Sequence, residues 1–336
     1  MSTYKNLHGT RVNVVSSNPS NPKEGEVWYN STLGQLKGYV LGLGSFASGG
    51  TASTARSELM GNVGTQTSSL LAGAGTTNVE EYDGSSWTEV NNRSTSFSRV
   101  VNNGTQTAAL GYGGYSPSPT PTAPARYVIN TEEYDGTNWT NGGNFPNGIQ
   151  TACGTGTQTA SFQASGIFGP YTTAPSSGWQ TTTNEYDGSS WSNGGAMPAG
   201  RDISSLAGIQ TAAIMVGGRA SGGAPNLNAV LYYDGSSWTS QPNYPASGHA
   251  IIGSGTQTAA MFAGGAVPSR TTNAFTWDGS AFAATGSMAN ARAYGLGGGT
   301  TTAAIVSAGS TPGGATGATE EYTEGGVEVK TLTTSS

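Results

Sequence analysis

Among 336 residues the chain has one cysteine, Cys153, and two histidines, His8 and His249. A single thiol cannot build an intrachain disulfide framework or a cysteine-based zinc site. Two imidazoles far apart in sequence are a poor copper set, so copper oxidase chemistry is not expected. Charge is also scarce: Asp, Glu, Lys and Arg make up 10% of the residues, the net charge is −6, and no Lys/Arg stripe exists to meet nucleic acid. No apolar run is long enough to span a bilayer, and residues 1–15 lack the apolar core of a signal peptide. These absences predict a chain made in a cytoplasm, with no membrane insertion, no cofactor and no bound metal. Runs of the helix formers Leu, Glu and Lys hardly occur. With 53 glycines amid Thr, Ser, Asn and Ala, the expected class is all-β with many tight turns. Tyrosines and tryptophans at regular positions argue for a packed body against disorder.

What is present is a rhythm of two marks. The first is an aromatic-Asp-Gly turn, at Tyr82-Asp83-Gly84, Tyr134-Asp135-Gly136, Tyr186-Asp187-Gly188, Tyr233-Asp234-Gly235 and Trp277-Asp278-Gly279, with a degenerate sixth at Tyr322. The second is a Gly-Thr-Gln-Thr-like turn that starts at Gly64, Gly104, Gly156, Gly208, Gly255 and Gly299. From aromatic to following glycine the step is 22 positions each time (82 to 104, 134 to 156, 186 to 208, 233 to 255, 277 to 299). From glycine to the next aromatic it ranges from 18 (64 to 82) to 30 (104 to 134). A fixed spacing marks packed structure, and a wandering one marks a surface loop.

Residues 203–239 show one unit. A run at 203–207 ends in the Gly208-Ile209-Gln210-Thr211 turn. Ala212-Ala213-Ile214-Met215-Val216 then meets Gly217-Gly218. Ala229-Val230-Leu231-Tyr232-Tyr233 leads to Asp234-Gly235, and Trp238 follows. The pattern predicts four strands, a to d, joined by hairpins, since Asp-Gly is among the strongest hairpin signals. The Ala-Ala at the head of strand b suits strands that converge on a central axis, and the aromatics suit strands c and d, where neighbouring units diverge. The paired glycines after strand b, such as Gly113-Gly114 and Gly264-Gly265, permit a sharp turn.

A Gly-Gly after one strand, then a Tyr, then a Trp shortly afterwards resembles the kelch repeat, and the resemblance covers residues 46–322. It implies a β-propeller of four-stranded blades. The strand-d aromatics lie five residues past the turn aromatic, at Trp87, Trp139, Trp191, Trp238 and Phe282. No such residue follows Tyr322. Phe46-Ala47-Ser48-Gly49-Gly50, with Arg56 ten positions past Phe46, instead mirrors Trp191-Ser192-Asn193-Gly194-Gly195 with Arg201 ten past Trp191. The expected fold is therefore a six-bladed kelch-like β-propeller over residues 42–336, closed by an N-terminal strand that removes exposed edges. Seven blades is the alternative if residues 26–41 form a partial blade.

Residues 1–41 form a separate expected segment. A Pro-Asn linker, Asn18-Pro19-Ser20-Asn21-Pro22, precedes Glu26-Val27-Trp28-Tyr29-Asn30-Ser31-Thr32-Leu33-Gly34-Gln35-Leu36-Lys37-Gly38-Tyr39, which reads as a β-hairpin. This string resembles a small module of fibre and virion structural proteins of tailed bacteriophages. Marine phage proteins of that group carry it ahead of kelch-like repeats rich in Gly-Thr-Gln-Thr-Ala-Ala. The resemblance implies a virion structural protein, a tail fibre or a tail- or capsid-associated subunit. It would be attached to other virion proteins through the N-terminal segment and oligomeric in the particle. A cytoplasmic kelch-type interaction scaffold and a degenerate carbohydrate-active propeller are the alternatives.

No catalytic set is expected. Tyr-Asp-Gly-Ser-Ser-Trp resembles the Asp box of sialidases, but that motif has a residue between Asp and Gly, and it is a structural turn. Arg56, Arg201 and Arg292 open strand a in three units, and three arginines could hold a carboxylate. The stronger expectation is a framework role, pairing with backbone or with Glu/Asp of neighbouring blades. Cys153, at a strand end among small residues with no His in its unit, reads as a packing residue. The loops between strands b and c (74–79, 115–127, 165–180, 219–228, 266–272 and 310–318) fall on one rim. Their Tyr115, Arg126, Tyr127, Phe168, Tyr171, Trp179, Arg219 and Arg270 are the expected ligand-binding residues, because exposed aromatics suit a host surface glycan or a protein face.

Overall fold

A computed structural model describes residues 12–23, 25–116, 127–169, 179–222 and 225–332, and among these there is no helix. The chain divides into two compact units, residues 45–323 and residues 1–44 with 324–336. The tail after Thr323 thus groups with the N-terminal residues, not with the repeats as the sequence suggested. The cause is a strand, Val327–Thr331, that pairs antiparallel with Gln35–Leu41, Val329 opposite Tyr39. The smaller unit is one sheet in the order Asn13–Val15, Val27–Asn30, Gln35–Leu41, Val327–Thr331. Its hairpin turns at residues 31–34. Trp28 is fully buried there, and its indole N–H donates to Asn18 Oδ1 at 3.2 Å, an oxygen that also accepts from the Asn30 amide. Asn18 therefore ties the Pro-Asn stretch to the hairpin instead of leaving it a free linker.

In the larger unit, the pattern read at 203–239 becomes Ser205–Ile209 (a), Ala212–Val216 (b), Val230–Tyr233 (c) and Trp238–Gln241 (d), paired in that order. The other a strands are Met60–Val63, Val101–Thr105, Cys153–Thr157, Ile252–Gly255 and Leu296–Gly299. The unit that begins at Leu296–Gly299 takes its d strand from the other end of the chain. Ser45–Ser48 pairs antiparallel with Thr319–Thr323, and Phe46 lies opposite Tyr322. Successive a strands lie side by side, and that of the first unit lies beside those of the second and the sixth. The narrowest packing is thus on strand a, not at the Ala-Ala of strand b. Glycine is required there: a Cβ on Gly104, at φ 111°, would sit 2.3 Å from the Ala108 carbonyl oxygen.

Two polar devices join the units, and a third, an arginine ahead of strand a paired with a glutamate of strand c, braces a unit from within instead of against a neighbour as expected. Each turn glutamine donates its side-chain amide to the carbonyl of the aromatic 24 residues earlier, in the preceding unit: Gln106 to Tyr82 (2.7 Å), Gln158 to Tyr134 (2.7 Å), Gln210 to Tyr186 (3.1 Å) and Gln257 to Tyr233 (2.8 Å). Gln66 does the same to Tyr322 at 2.7 Å, across the chain ends. The tyrosine hydroxyls donate to the glutamate that precedes the aromatic of the preceding unit: Tyr82 to Glu321, Tyr134 to Glu81, Tyr186 to Glu133 and Tyr233 to Glu185. One position earlier, Glu80, Glu132 and Glu320 form buried ion pairs with Arg56 (2.7 Å), Arg93 (2.6 Å) and Arg292 (2.6 Å). Burial alone would raise the Glu80 and Glu132 carboxyls, but their arginines and serine or threonine donors hold both below the ordinary range. Arg93 is a member that the sequence reading missed. Arg201 has no acid partner among the described residues, because Leu231 stands where the others carry glutamate, and it pairs with backbone instead, donating to the Gly217 carbonyl at 3.4 Å.

The six d-strand aromatics each pack at a tilt against the turn aromatic of the same unit, with ring centroids between 4.5 Å (Phe282 and Trp277) and 5.1 Å (Phe46 and Tyr322). Trp191 also meets Tyr112 at 4.6 Å and Phe145 at 4.5 Å, residues of the preceding unit, and is 9% exposed. The Asp-Gly turn aspartates are exposed and accept backbone N–H bonds. Those from Ser86 and Ser85 pull Asp83 down to about 2, which marks a turn-holding carboxylate and not an acid–base group.

Trp191→Ala should lower the free energy of unfolding by about 3–5 kcal/mol, since it opens a cavity between two units. A denaturant titration that shows a loss well under ~1 kcal/mol would place Trp191 on the surface and refute the packing. High pH gives a second test. Burial, then the bond to a glutamate, pushes the Tyr82, Tyr186 and Tyr233 hydroxyls from the ordinary 10 up to about 12. The fold favours the neutral phenol, so this contribution is fully present below about pH 10 and is lost as pH rises through about 12. Stability measured across that window should fall steeply, and less steeply in a Tyr82→Phe variant.

Candidate functional site

The expected binding loops are unequal. Arg126 and Tyr171 lie outside the described residues, as does the side chain of Phe168, whose backbone pairs with Ile149. Tyr127 is only 5% exposed and bridges to Tyr115, so it packs inward and does not present a ring to solvent. Tyr115 is half-buried beneath Arg99, whose guanidinium carbon lies 5.7 Å from the ring centroid. Trp179 is half-buried and bridges to Ile167. Each of these three aromatics is held by β-bridges within its loop, which turns an expected exposed ring into a packed one. Arg270 donates to Ser310 Oγ at 2.6 Å. Arg219 donates twice to the fully buried Asp202 carboxylate, at 3.0 and 2.7 Å, and that bond raises its already high pKa.

The residues that converge are ones the loop reading did not name. Two positions before each a strand stands a non-glycine residue in the left-handed region: Glu58 (φ 62°), Arg99 (59°), Thr151 (53°), Ile203 (52°), Ala250 (53°) and Tyr294 (59°). Such a conformation costs an L-residue about 1–2 kcal/mol. It is held by a relay of backbone bonds from unit to unit: Ile203 N–H to Thr151 O, Ala250 N–H to Ile203 O, Tyr294 N–H to Ala250 O and Leu59 N–H to Tyr294 O. Such strain persists only where the surrounding structure holds it in place. Five of these six residues, all but Ala250, line a cavity of about 100 Å³ together with Met60 and Arg219.

The electrostatics of this cavity are mixed and polar. Arg99 pairs with Glu58 at 3.1 Å and donates to Gln150 Oε1 at 3.0 Å. Arg219 also lines the cavity, already neutralised by Asp202. Tyr294 lines both this cavity and a wider opening bounded by His249, Pro268, Arg270 and Pro312. Burial raises the Tyr294 hydroxyl and lowers His249, the latter with help from Arg219, so both are neutral hydrogen-bonding groups near pH 7. Two guanidiniums, a carboxylate and a phenol line this cavity and can bind a hydroxyl- or carboxylate-bearing group, while the imidazole lines the wider opening. Cys153, near the foot of this end, is buried; burial pushes its thiol up to about 12, which leaves it unreactive. Among the described residues no group of three or more His, Cys, Asp or Glu side chains could hold a metal ion.

A sequence signal for these positions did exist. They fall five residues before each turn glycine (six before the first), and their identities differ in every unit, inside a framework that otherwise repeats. The two arginines should separate in stability. Arg219→Ala strands a buried carboxylate and should cost about 3 kcal/mol. Arg99→Ala breaks a pair whose side chains are 34% and 40% exposed, and should cost under ~1 kcal/mol. Unfolding curves that rank them in reverse would overturn this division.

No protein-family model matches the chain, and no curated protein sequence does. Among solved structures it is similar to YjhT, with a TM-score of 0.66 and 13% identity, over 83% of this chain and 99% of that one. At that identity the likeness speaks to fold alone: an all-β architecture of many sheets, consistent with a β-propeller-like fold.

Proposed function

We propose that this protein is a virion structural subunit of a tailed bacteriophage, fibre-like or tail- or capsid-associated, whose repeat body recognises a host surface glycan or another virion protein. The repeat body is read as a six-bladed kelch-like propeller, closed where Ser45–Ser48 supplies the outer strand beside Thr319–Thr323. The separate sheet formed by Val27–Asn30, Gln35–Leu41 and the tail favours six blades over seven, because those hairpin strands pair among themselves. The binding point is the end of the a strands where Glu58, Arg99, Arg219 and Tyr294 meet. The observation that carries the binding reading is the strained, variable set of side chains at that end, held on an invariant frame. A cavity of about 100 Å³ admits one protruding polar group, which suits a branch of a larger surface polymer or a side chain of a partner. The hairpin module and the Gly-Thr-Gln-Thr-Ala-Ala style of repeat support the virion assignment.

Two experiments test this reading. Mass spectrometry of purified particles should find the chain at stoichiometric levels; its absence from particles sinks the virion role. Arg99→Ala and Tyr294→Phe should each weaken attachment to host cells or glycans by tenfold or more, on the order of 1.4 kcal/mol, with an almost unchanged melting temperature. Equal attachment by both variants would remove binding from this end of the body. Closure has its own outcome. A fragment that starts at residue 51 should aggregate or lose cooperative unfolding, whereas one that starts at residue 39 keeps the strand and should unfold cooperatively. A monomeric, normally melting fragment from residue 51 would refute the closing strand.

A further inference from the structure

Val327–Thr331 is the outer strand of the smaller unit's sheet, and all five of its residues are exposed. Its inner edge is used. The Leu332 N–H donates to Leu36 O, and the Gly42 N–H donates to Gly326 O. In an antiparallel ladder hydrogen-bonded and non-bonded pairs alternate, so residues 328 and 330 point their main-chain groups at Gln35–Leu41. The amides and carbonyls of Val327, Val329 and Thr331 therefore point outward, and among the described residues no strand pairs with them.

We propose that this edge pairs with the same edge of a second copy of the chain, to form a two-fold dimer whose sheet runs continuously through both subunits. The strand's sequence is its own complement in one register only. With the two-fold axis at Val329, each outward N–H of 327, 329 and 331 meets an outward carbonyl of the other copy. Val327 then lies opposite Thr331, and Glu328 opposite Lys330. The neighbouring registers that keep the same hydrogen bonding set Glu328 against Glu328 or Lys330 against Lys330, and directly opposed like charges destabilise a strand pair. Charge thus selects the symmetric register and rejects its neighbours. Glu328 and Lys330 are available for this: both side chains are 51% exposed, and their present contact is a 2.9 Å pair along one strand. The sheet order also bears on the occupant. The other edge, Asn13–Val15, offers three residues to a partner, against five on the tail strand. This inference rests on the tail edge alone and is independent of the virion reading.

Analytical ultracentrifugation of the full chain tests it. A strand pair is a small interface, below the roughly 1,200 Å² of stable complexes, so the assay should extend to hundreds of micromolar. The expected result is reversible dimerisation, with slowed hydrogen exchange at the amides of Val327, Val329 and Thr331 as concentration rises. Lys330→Glu and Glu328→Lys should each weaken the dimer about tenfold or more, because both symmetry-related pairs become repulsive. The double variant E328K/K330E restores opposite charges and should restore the dimer. A chain that stays monomeric at the highest concentration overturns the proposal, as does a dimer indifferent to the single swaps or one that the double swap fails to rescue.

Discussion

One hydrogen bond recurs between units at every interface but the last: the turn glutamine of one repeat to the carbonyl of the aromatic of the preceding one. The glutamine also donates to the head of strand b of that earlier unit, as Gln106 does to the Ser69 carbonyl at 3.2 Å and Gln158 to the Ala109 carbonyl at 3.1 Å. One amide thus fixes the turn of one sheet against two strands of its neighbour. Partly buried main-chain carbonyls at a sheet end need a donor, and a side chain that supplies it must start at one place and reach one distance. An aromatic-to-glycine step of 22 meets that requirement wherever the glutamine is present. The last interface is the exception. Thr301 stands where glutamine is expected, Trp277 replaces the tyrosine, and the indole N–H donates to Tyr232 Oη at 2.6 Å and to the Gln257 carbonyl at 3.1 Å.

The same frame explains how a chain with 10% charged residues keeps buried ion pairs and strained backbone. The Glu-Glu-Tyr string of three units divides its labour by strand parity. The first glutamate faces inward to an arginine, and the second accepts the hydroxyl of the next unit's tyrosine. Such pairs are costly to desolvate, and hydrogen bonds to the charged groups offset that cost, although Arg56 Nε and Arg292 Nε stay buried with no partner among the described residues. Glu132 accepts from Ser94, Thr95 and Arg93 together, and Gly111 is glycine because a Cβ there would press within 2.7 Å of the Arg93 guanidinium. With the sheets thus locked to one another, the left-handed residues at the a-strand ends are held in place by backbone bonds from unit to unit. Their side chains divide: Thr151, Ile203 and Ala250 are buried, and Glu58, Arg99 and Tyr294 are the more open. Diversity of side chain on uniformity of backbone is what a recognition surface requires.

The repeat was legible because it is built from local chemistry at fixed intervals. Tyr-Asp-Gly turns, paired glycines and d-strand aromatics each announce themselves within a few residues. The kinship of Phe46 with Trp191 was legible for the same reason, since both precede Gly-Gly and an arginine at one spacing. The exposure of the loop aromatics was not. Tyr127 carries the composition of a surface loop, but a bridge to Tyr115 turns it inward, and no local pattern records that. Arg93 was missed because its spacing from the d-strand aromatic differs from that of Arg56 and Arg201. The pairing of the tail with the hairpin was missed because it joins residues nearly three hundred positions apart with no shared motif.

The sequence by itself determined the strand class, the period, the unit boundaries and the positions of the d-strand aromatics, because those follow from propensity, turn chemistry and spacing along one chain. Tertiary structure alone decided which residues share the cavity. Glu58, Arg99, Thr151, Ile203 and Tyr294 belong to different units and are unlike in type, and they meet only because the a strands lie side by side. It also decided that Arg219 is neutralised by Asp202 while Arg99 stays half open, a difference of packing that no reading of charge along the chain contains. Proximity between distant residues is a property of the folded body, and that is where the candidate site resides.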